Sequence, residues 1–400
     1  MDSEQRIRDI ITTCLSEISK EGAFTGNVPY FTPSPPPKHF KNPRITDATP
    51  QNHLYTSTLH HLQTQSPQSL SHATALHEHT HETLHTLPYN LIPPQDRTQY
   101  THATILKACA QLLCNDLPAA FQTVDIGLVM VGSHPILHAL ITSLEDLMGD
   151  RDYTYLGTQF PKLSDPEPTI THPAPIIKAP SVLTFQTYLN QNKPILIQGA
   201  VEWPALHLWQ NPSYIAQQAG NRTVPIEIGK DYTEREWTQG FVKVGEWLEE
   251  VVKGRGGYLA QYDLFAHVPQ LRRDILVPDY CFVDDNDSDD GRDVLLHAWF
   301  GPKGTISPLH HDPYQNLFAQ IVGTKFIVLY PPDANVYPHD TDLLRNTSQV
   351  DVEHVDSSKF PGLEGRLECV VRPGEMLFIP KGWWHYVRAL STSLSVSFWF

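Results

Sequence analysis

A chain of 400 residues with 40% hydrophobic content exceeds one average domain and can build a core, although 34 prolines and 21 histidines are high for this length. The formal net charge of −15 excludes duplex nucleic acid as the main ligand, since phosphate binding requires a basic face, and suits a basic polypeptide instead. Five scattered cysteines with no C-x-x-C pair, no signal-peptide pattern and no apolar run of membrane-span length predict a reducing intracellular setting, nuclear or cytoplasmic.

Residues 1–25 are expected to form an amphipathic helix, with Ile7, Ile10, Ile11, Cys14, Leu15 and Ile18 at helical spacing. Residues 26–98 are then rich in Pro, Thr, His and Gln, from Pro33-Ser34-Pro35-Pro36-Pro37 onward. With few large apolar residues they read as a partly disordered insertion, with short helices at most around Leu54 to Leu62. His77, His79, His81 and His85 offer imidazoles for a weak zinc site, although a polar low-complexity loop is the plainer reading. Helical order returns over 99–150. Ile105, Cys109, Leu112 and Leu113 form one stripe, and Phe121, Val124, Leu128 and Val131 another. A third helix is expected to start with Ser133 as N-cap and Pro135 in its first turn, and to stop at Gly149. Residues 151–175 are a proline-punctuated linker.

From 176 to 400 the pattern changes. Ser181 should cap a short helix to Leu189, and Pro194 to Ile197 and Val224 to Gly229 read as strands. Short apolar runs with Gly/Pro turns then dominate: Tyr258 to Gln261, Val294 to Phe300, Leu317 to Val322, Lys325 to Tyr330, Cys369 to Val371, Met376 to Ile379, His385 to Leu390 and Leu394 to Phe400. Many short strands after a mixed entry segment predict a mainly β, double-sheet jelly roll behind an α-helical N-terminal region. The acidic run Asp284 to Gly291 resembles a calcium loop but places its glycine at the wrong position and ends without the required glutamate; it reads as a solvated acidic turn.

One stretch carries chemistry. His310 and Asp312 lie two residues apart in Pro308-Leu309-His310-His311-Asp312-Pro313, so on a strand both side chains would leave on one face, and His385 opens a distant apolar strand. Two imidazoles and one carboxylate form the facial triad of non-haem Fe(II) oxygenases. His311 breaks the alternation and should turn away. Around these residues stand Ala298-Trp299-Phe300-Gly301, Gly304-Thr305-Ile306-Ser307, Asn316, Lys325 at the head of an apolar run, and Trp384-His385-Tyr386-Val387-Arg388. On these motifs residues 176–400 resemble the JmjC-domain 2-oxoglutarate oxygenases, nearest to the subgroup described both as arginyl hydroxylases and as histone lysine demethylases.

The resemblance implies a double-stranded β-helix (cupin-like JmjC barrel) and Fe(II), 2-oxoglutarate and O2 as cofactors, with the iron on His310, Asp312 and His385. A buried Lys325 ammonium is costly without a partner, and the distal carboxylate of 2-oxoglutarate would supply one. By resemblance Tyr258, Ser307 and Asn316 contact the cosubstrate, while Trp299 and Trp399 wall the site. In the arginyl-hydroxylase subgroup, positions matching Glu227 and Trp237 clasp the substrate guanidinium, which suits a carboxylate beside an aromatic ring. The expected activity is therefore hydroxylation of arginine in a basic protein such as a histone. The alternatives are N-methyl-lysine demethylation at the same site and a catalytically silent binding module.

Overall fold

The computed structural model describes residues 3–21, 50–88, 91–161, 165–283, 293–341 and 344–400. The proline string at 33–37 and the acidic run at 284–291 lie outside the described residues. The chain divides into two units, Met1–Arg151 and Asp152–Phe400. All five cysteines are free thiols, and no helix among the described residues is long and apolar enough to cross a membrane.

The first unit is built from α1 (Ser3–Glu21), α2 (Pro50–Gln63), α3 (Ser69–Leu84), α4 (Pro94–Leu113), α5 (Leu117–Val131) and α6 (Pro135–Met148). Ile11, Cys14 and Ile18 of α1 lie on one face and join a single core with Leu106 of α4, Phe121 of α5 and Leu140 of α6. Within residues 26–98, α2 covers the Leu54 to Leu62 stretch read as a possible short helix, and α3 adds a second helix that the composition did not announce. The buried stripe of α3 is Ser69, Ala73, Leu76, Thr80 and Leu84, mostly small or hydroxylated residues. Thr80 spends its hydroxyl on the Leu76 carbonyl at 3.0 Å, so it is buried without an orphan donor. A search for large apolar residues overlooks such a stripe. The start of α6 also differs: His134 occupies the N-cap, and the Ser133 hydroxyl meets the His138 ring at 3.1 Å. Gly149 closes the helix at φ 72.

The second unit opens with β1 (Ile176–Lys178), α7 (Val182–Asn190), β2 (Ile195–Gln198), α8 (Ala205–Leu208), α9 (Pro212–Ala219), β3 (Thr223–Ile228), β4 (Thr238–Lys243) and α10 (Val244–Val251). Ser181 caps α7, its hydroxyl accepting from the Thr184 N–H at 3.1 Å. The strands that follow are β5 (Leu259–Tyr262), β6 (Leu295–Gly301), β7 (Ile306–His310), β8 (Asn316–Val322) and β9 (Lys325–Tyr330). The last four are β10 (Leu367–Val371), β11 (Glu375–Ile379), β12 (Trp384–Ala389) and β13 (Ser393–Trp399). They form a seven-stranded sheet in the order β1-β2-β11-β8-β13-β6-β5 and a four-stranded sheet in the order β10-β9-β12-β7, with β3 and β4 as a separate hairpin.

Both sheets are covered on both faces, so β8, β9, β11 and β13 are buried along their whole length. Period-two alternation sorts their residues. Ile327 and Leu329 of β9 meet Phe318 and Leu377 between the sheets, while Phe326, Val328 and Tyr330 pack outward under Val336, Val352 and Phe360. The outer face of the larger sheet, including Phe378 and Phe398, is covered by Phe185 of α7, Ile215 of α9 and Trp247 of α10. The polar residues that interrupt these runs share the inward parity. They include Asn316 and Gln320 in β8, Lys325 in β9 and the serines of β13, and Ser395 donates to Gln320 Oε1 at 2.7 Å. The space between the sheets is thus the place where polarity is concentrated.

Gly323 turns the chain from β8 in one sheet to β9 in the other, at φ 66. A Cβ there would lie 2.0 Å from the Thr392 carbonyl oxygen. Gly323→Ala is expected to destabilise the second unit by more than the ~1–3 kcal/mol of a left-handed residue, since backbone must also move. A drop of several degrees in the melting temperature would be the readout; an unchanged value would show that the corner yields.

Candidate active site

The site begins with an irregularity. His385 of β12 pairs with His310 of β7, yet Val387 pairs with Ser307, so β7 carries one extra residue between the two pairings. This bulge lets Ser307 and His310, three residues apart, both line the interior cavity, while Leu309 packs into the outer core. Pro308, which has no N–H to give a ladder, sits in the bulge. Its carbonyl accepts from His310 Nδ1 at 2.7 Å, which leaves Nε2 to face the cavity. His385 is held in the same way, its Nδ1 donating to the Trp383 carbonyl at 3.1 Å.

Asp312 is not on the strand, so period-two alternation does not place it. β7 ends at His310, and Asp312 lies in the following loop, where its carbonyl accepts from the Gly382 N–H at 3.0 Å. That bond ties the loop to the turn before β12. Asp312 Oδ2 lies 3.5 Å from His385 Nε2 and 3.9 Å from His310 Nε2. All three ligand atoms fall within 4.8 Å of one another, and no second such group of three exists among the described residues. His311 is turned to the outer face, edge-on to Trp384 at 4.6 Å.

Electrostatics suit a cation. Burial, with the neighbouring His385, lowers His310 to about 4, so its imidazole is a neutral lone-pair donor at neutral pH. Burial alone would raise Asp312, but the imidazoles of His385 and then His310 beside it bring it down to about 2. Two imidazoles whose Nδ1 atoms are committed to backbone carbonyls and one ionised carboxylate fit an Fe(II) ion with open coordination positions.

A second orphan lies deeper. Lys325 is 1% exposed, and its Nζ reaches only the Tyr258 hydroxyl, at 3.2 Å, and the faces of Tyr258 and Phe318. No carboxylate among the described residues pairs with it. Asn316 Oδ1 is likewise buried without a partner. Tyr258, Trp299, Ser307 and Asn316 line the narrow cavity beside the triad, and Trp299 is fixed by donating to Ser397 Oγ at 2.9 Å. A buried lysine held by Tyr258 and a buried amide, Asn316, in the wall of the cavity beside the triad fit a small dicarboxylate that chelates the ion at one end.

A family model described as a cupin-like domain matches residues 181–400. "Lysine-specific demethylase 8" of Danio rerio is 37% identical over 83% of this chain and 88% of its own length. "Lysine-specific demethylase JMJ30" of Arabidopsis thaliana is 35% identical over 82% and 85%, and "Jumonji C domain-containing protein 5" of Drosophila melanogaster 36% over 81% and 85%. The chain belongs to the cupin-like JmjC family. It is a 2-oxoglutarate-dependent oxygenase, with Fe(II), 2-oxoglutarate and O2 as its cofactors.

In this JmjC barrel, Trp399 does not line the cavity beside the triad. It pairs with Asn316 across the strands, stacks on Tyr314 at 5.1 Å and meets His297 at 4.6 Å. A second cavity of about 200 Å3 opens on the other side of Trp299, His310 and Asp312, with Glu227 in its wall. Burial pushes the Glu227 carboxyl above the usual carboxylate range; the Trp237 indole pulls it back and Asp231 adds to the rise. Trp237 stands beside Glu227 and does not line the cavity, and its Nε1 is buried without an acceptor at full hydrogen-bonding geometry.

The backbones of Glu227 and Tyr258 exchange two hydrogen bonds, of 2.7 and 2.9 Å, so the β3–β4 hairpin is locked to the tyrosine that holds Lys325. A Cβ at Gly257, at φ 81, would meet the Glu227 carbonyl at 2.6 Å, so only glycine permits this approach. The sequence reading missed four polar wall residues, Tyr232, Gln261, Asn346 and Thr347. Tyr232 Oη lies 3.2 Å from Thr347 Oγ1, and Thr347 is bridged to His310. The last two come from the long connection between β9 and β10, which has no periodic signal to mark it.

Proposed function

We propose that the chain oxidises a C–H bond on a cationic side chain of a basic protein substrate. The observation that carries this is Glu227, a half-buried carboxylate across a cavity from the metal triad, where only a cation repays its desolvation. When bound, Fe(II) and 2-oxoglutarate activate dioxygen for attack on a nearby C–H bond. Lys325 and Tyr258 receive the distal carboxylate of the cosubstrate, Ser307 and Asn316 flank it, and Trp299 separates it from the substrate cavity. The acidic balance of the chain favours a basic polypeptide such as a histone.

Two chemistries fit a cation placed this way. N-methyl-lysine demethylation is supported by the names of the relatives from Danio rerio and Arabidopsis thaliana, both called lysine-specific demethylases. Hydroxylation of arginine is supported by Glu227 itself, because a carboxylate can take two parallel hydrogen bonds from a planar guanidinium, which lysine cannot offer. Mass spectrometry on histone peptides separates them: formaldehyde in step with succinate marks the first, stable gain of one oxygen on arginine the second. Glu227→Ala is expected to lower kcat/KM for peptide oxidation by about 30-fold or more, since a desolvated charge pair is broken on one side. Peptide-independent turnover of 2-oxoglutarate should persist. Equal peptide oxidation by the variant would remove Glu227 from the site.

A further inference from the structure

The helical unit carries imidazoles that the oxygenase site does not use. His61, in the last turn of α2, and His72, in the first turn of α3, face each other across the connecting turn. Their ring centroids are 4.4 Å apart at a tilt of 55°, close to the 4.2 Å and 49° of the triad pair His310 and His385. Ser57 Oγ lies 3.1 Å from His72 Nδ1, an orienting contact of the kind the Pro308 and Trp383 carbonyls give the triad. Both rings are half-buried, within reach of solvent, and His60 stands 5.9 Å from His61. Desolvation, then the charges of His72 and His60, hold His61 below the ordinary imidazole range.

We propose that His61 and His72 bind a first-row divalent ion of the imidazole-preferring class, for which Zn2+ is the probe. Imidazole suits Zn2+, Ni2+ and Cu2+, whereas Mg2+ and Ca2+ require oxygen ligands that this pair lacks. An ion on His72 Nε2 selects the tautomer whose Nδ1–H donates to Ser57 Oγ. Because the two ligands come from successive helices, the ion pins α2 to α3, and metal that binds only the folded hairpin stabilises it. The weak zinc option that the sequence offered lay at His77, His79, His81 and His85, on α3 and its C-cap. His81 and His85 also lie close, at 4.3 Å, but both are exposed at one helix end, and what His81 meets on α4 is the Tyr100 ring, at 6.0 Å, and not another imidazole. With no third His, Cys, Asp or Glu converging among the described residues, the site is weaker than the triad.

The test is a Zn2+ titration of the full chain followed by histidine-ring NMR, with resonances assigned from His61→Gln and His72→Gln. Rings are read one by one, so zinc at the triad does not confuse the result. The expected outcome is joint perturbation of His61 and His72, with an affinity that falls at least tenfold in either variant and less in Ser57→Ala. Fe(II)-dependent 2-oxoglutarate turnover should be unchanged in His61→Gln. Unperturbed His61 and His72 rings, or full affinity retained in both variants, would overturn the proposal.

Discussion

Asp312→Ala is expected to lose Fe(II) on purification and with it nearly all 2-oxoglutarate turnover, while the barrel stays folded. Asp312 supplies the only negative charge of the triad, and the two imidazoles that remain cannot offset the charge of the ion. Even residues that merely orient a ligand change metal affinity by about 10–100-fold, so deleting a ligand should exceed that range. The fold should survive because Asp312 lies in a loop beyond β7, and the bond it makes to Gly382 comes from its backbone, which alanine keeps. Iron content after gel filtration, succinate release and a thermal melt are the three readouts. Near wild-type turnover in the folded variant would show that the metal sits elsewhere.

Lys325→Ala should weaken 2-oxoglutarate far more than iron. Breaking a buried charge pair on one side costs about 3–5 kcal/mol, a factor of hundreds or more in affinity. The same burial sets a pH dependence. Desolvation lowers Lys325 from 10.5 to about 7 in the absence of cosubstrate. Above pH 7 the folded chain therefore holds this lysine neutral while the unfolded chain keeps it charged, so stability without cosubstrate should rise with pH up to the unfolded value. Binding of 2-oxoglutarate runs the other way: its carboxylate needs the ammonium, so binding takes up a proton, and the apparent affinity should fall by up to about tenfold per pH unit above 7. Calorimetry in buffers of different ionisation heat measures that uptake. Binding with no proton uptake at pH 8 would show that the lysine is already charged without cosubstrate, whereas an unaltered affinity in Lys325→Ala would exclude it as the carboxylate partner.

The strands of the barrel were legible in the sequence because burial on both faces turns them into apolar runs, and the polar interruptions mark the inward parity. Lys325 in Lys325-Phe326-Ile327-Val328-Leu329-Tyr330 is the clearest case: one charge in an unbroken core strand, on the same parity as Ile327 and Leu329. The triad residues were legible as well, although the reason differed. Alternation relates neither His310 to Ser307, which a bulge separates, nor His310 to Asp312, which lies past the strand end. The walls contributed by Tyr232, Asn346 and Thr347 were not legible, since they come from irregular backbone whose course is set by tertiary contacts, and Gln261 was not legible because β5 shifts register against β6 around it. It reaches the cavity from a left-handed position at φ 46 that no side-chain pattern announces. The stretch Leu54 to Leu62 was legible as a possible short helix and lies in α2, whereas α3 was missed for a compositional reason, because Ser69, Ala73 and Thr80 share its burial with only two leucines.

The extra residue in β7 makes the enzyme sensitive to strand pairing as well as to identity. Ser307 and His310 stand an odd number of positions apart, and they share the cavity only because the bulge absorbs one residue where the partner strand spends two. Were β7 to pair without that bulge at its present length, one of the two side chains would have to leave for the outer core. A substitution at 308 or 309 that straightened the strand would still spell the histidine, the aspartate and the distant histidine, and a comparison of letters would still score it as an oxygenase. Catalytic competence in this barrel is therefore written partly in how one strand is paired, and the two positions between Ser307 and His310 are the place to look for relatives that keep the scaffold while having lost the reaction.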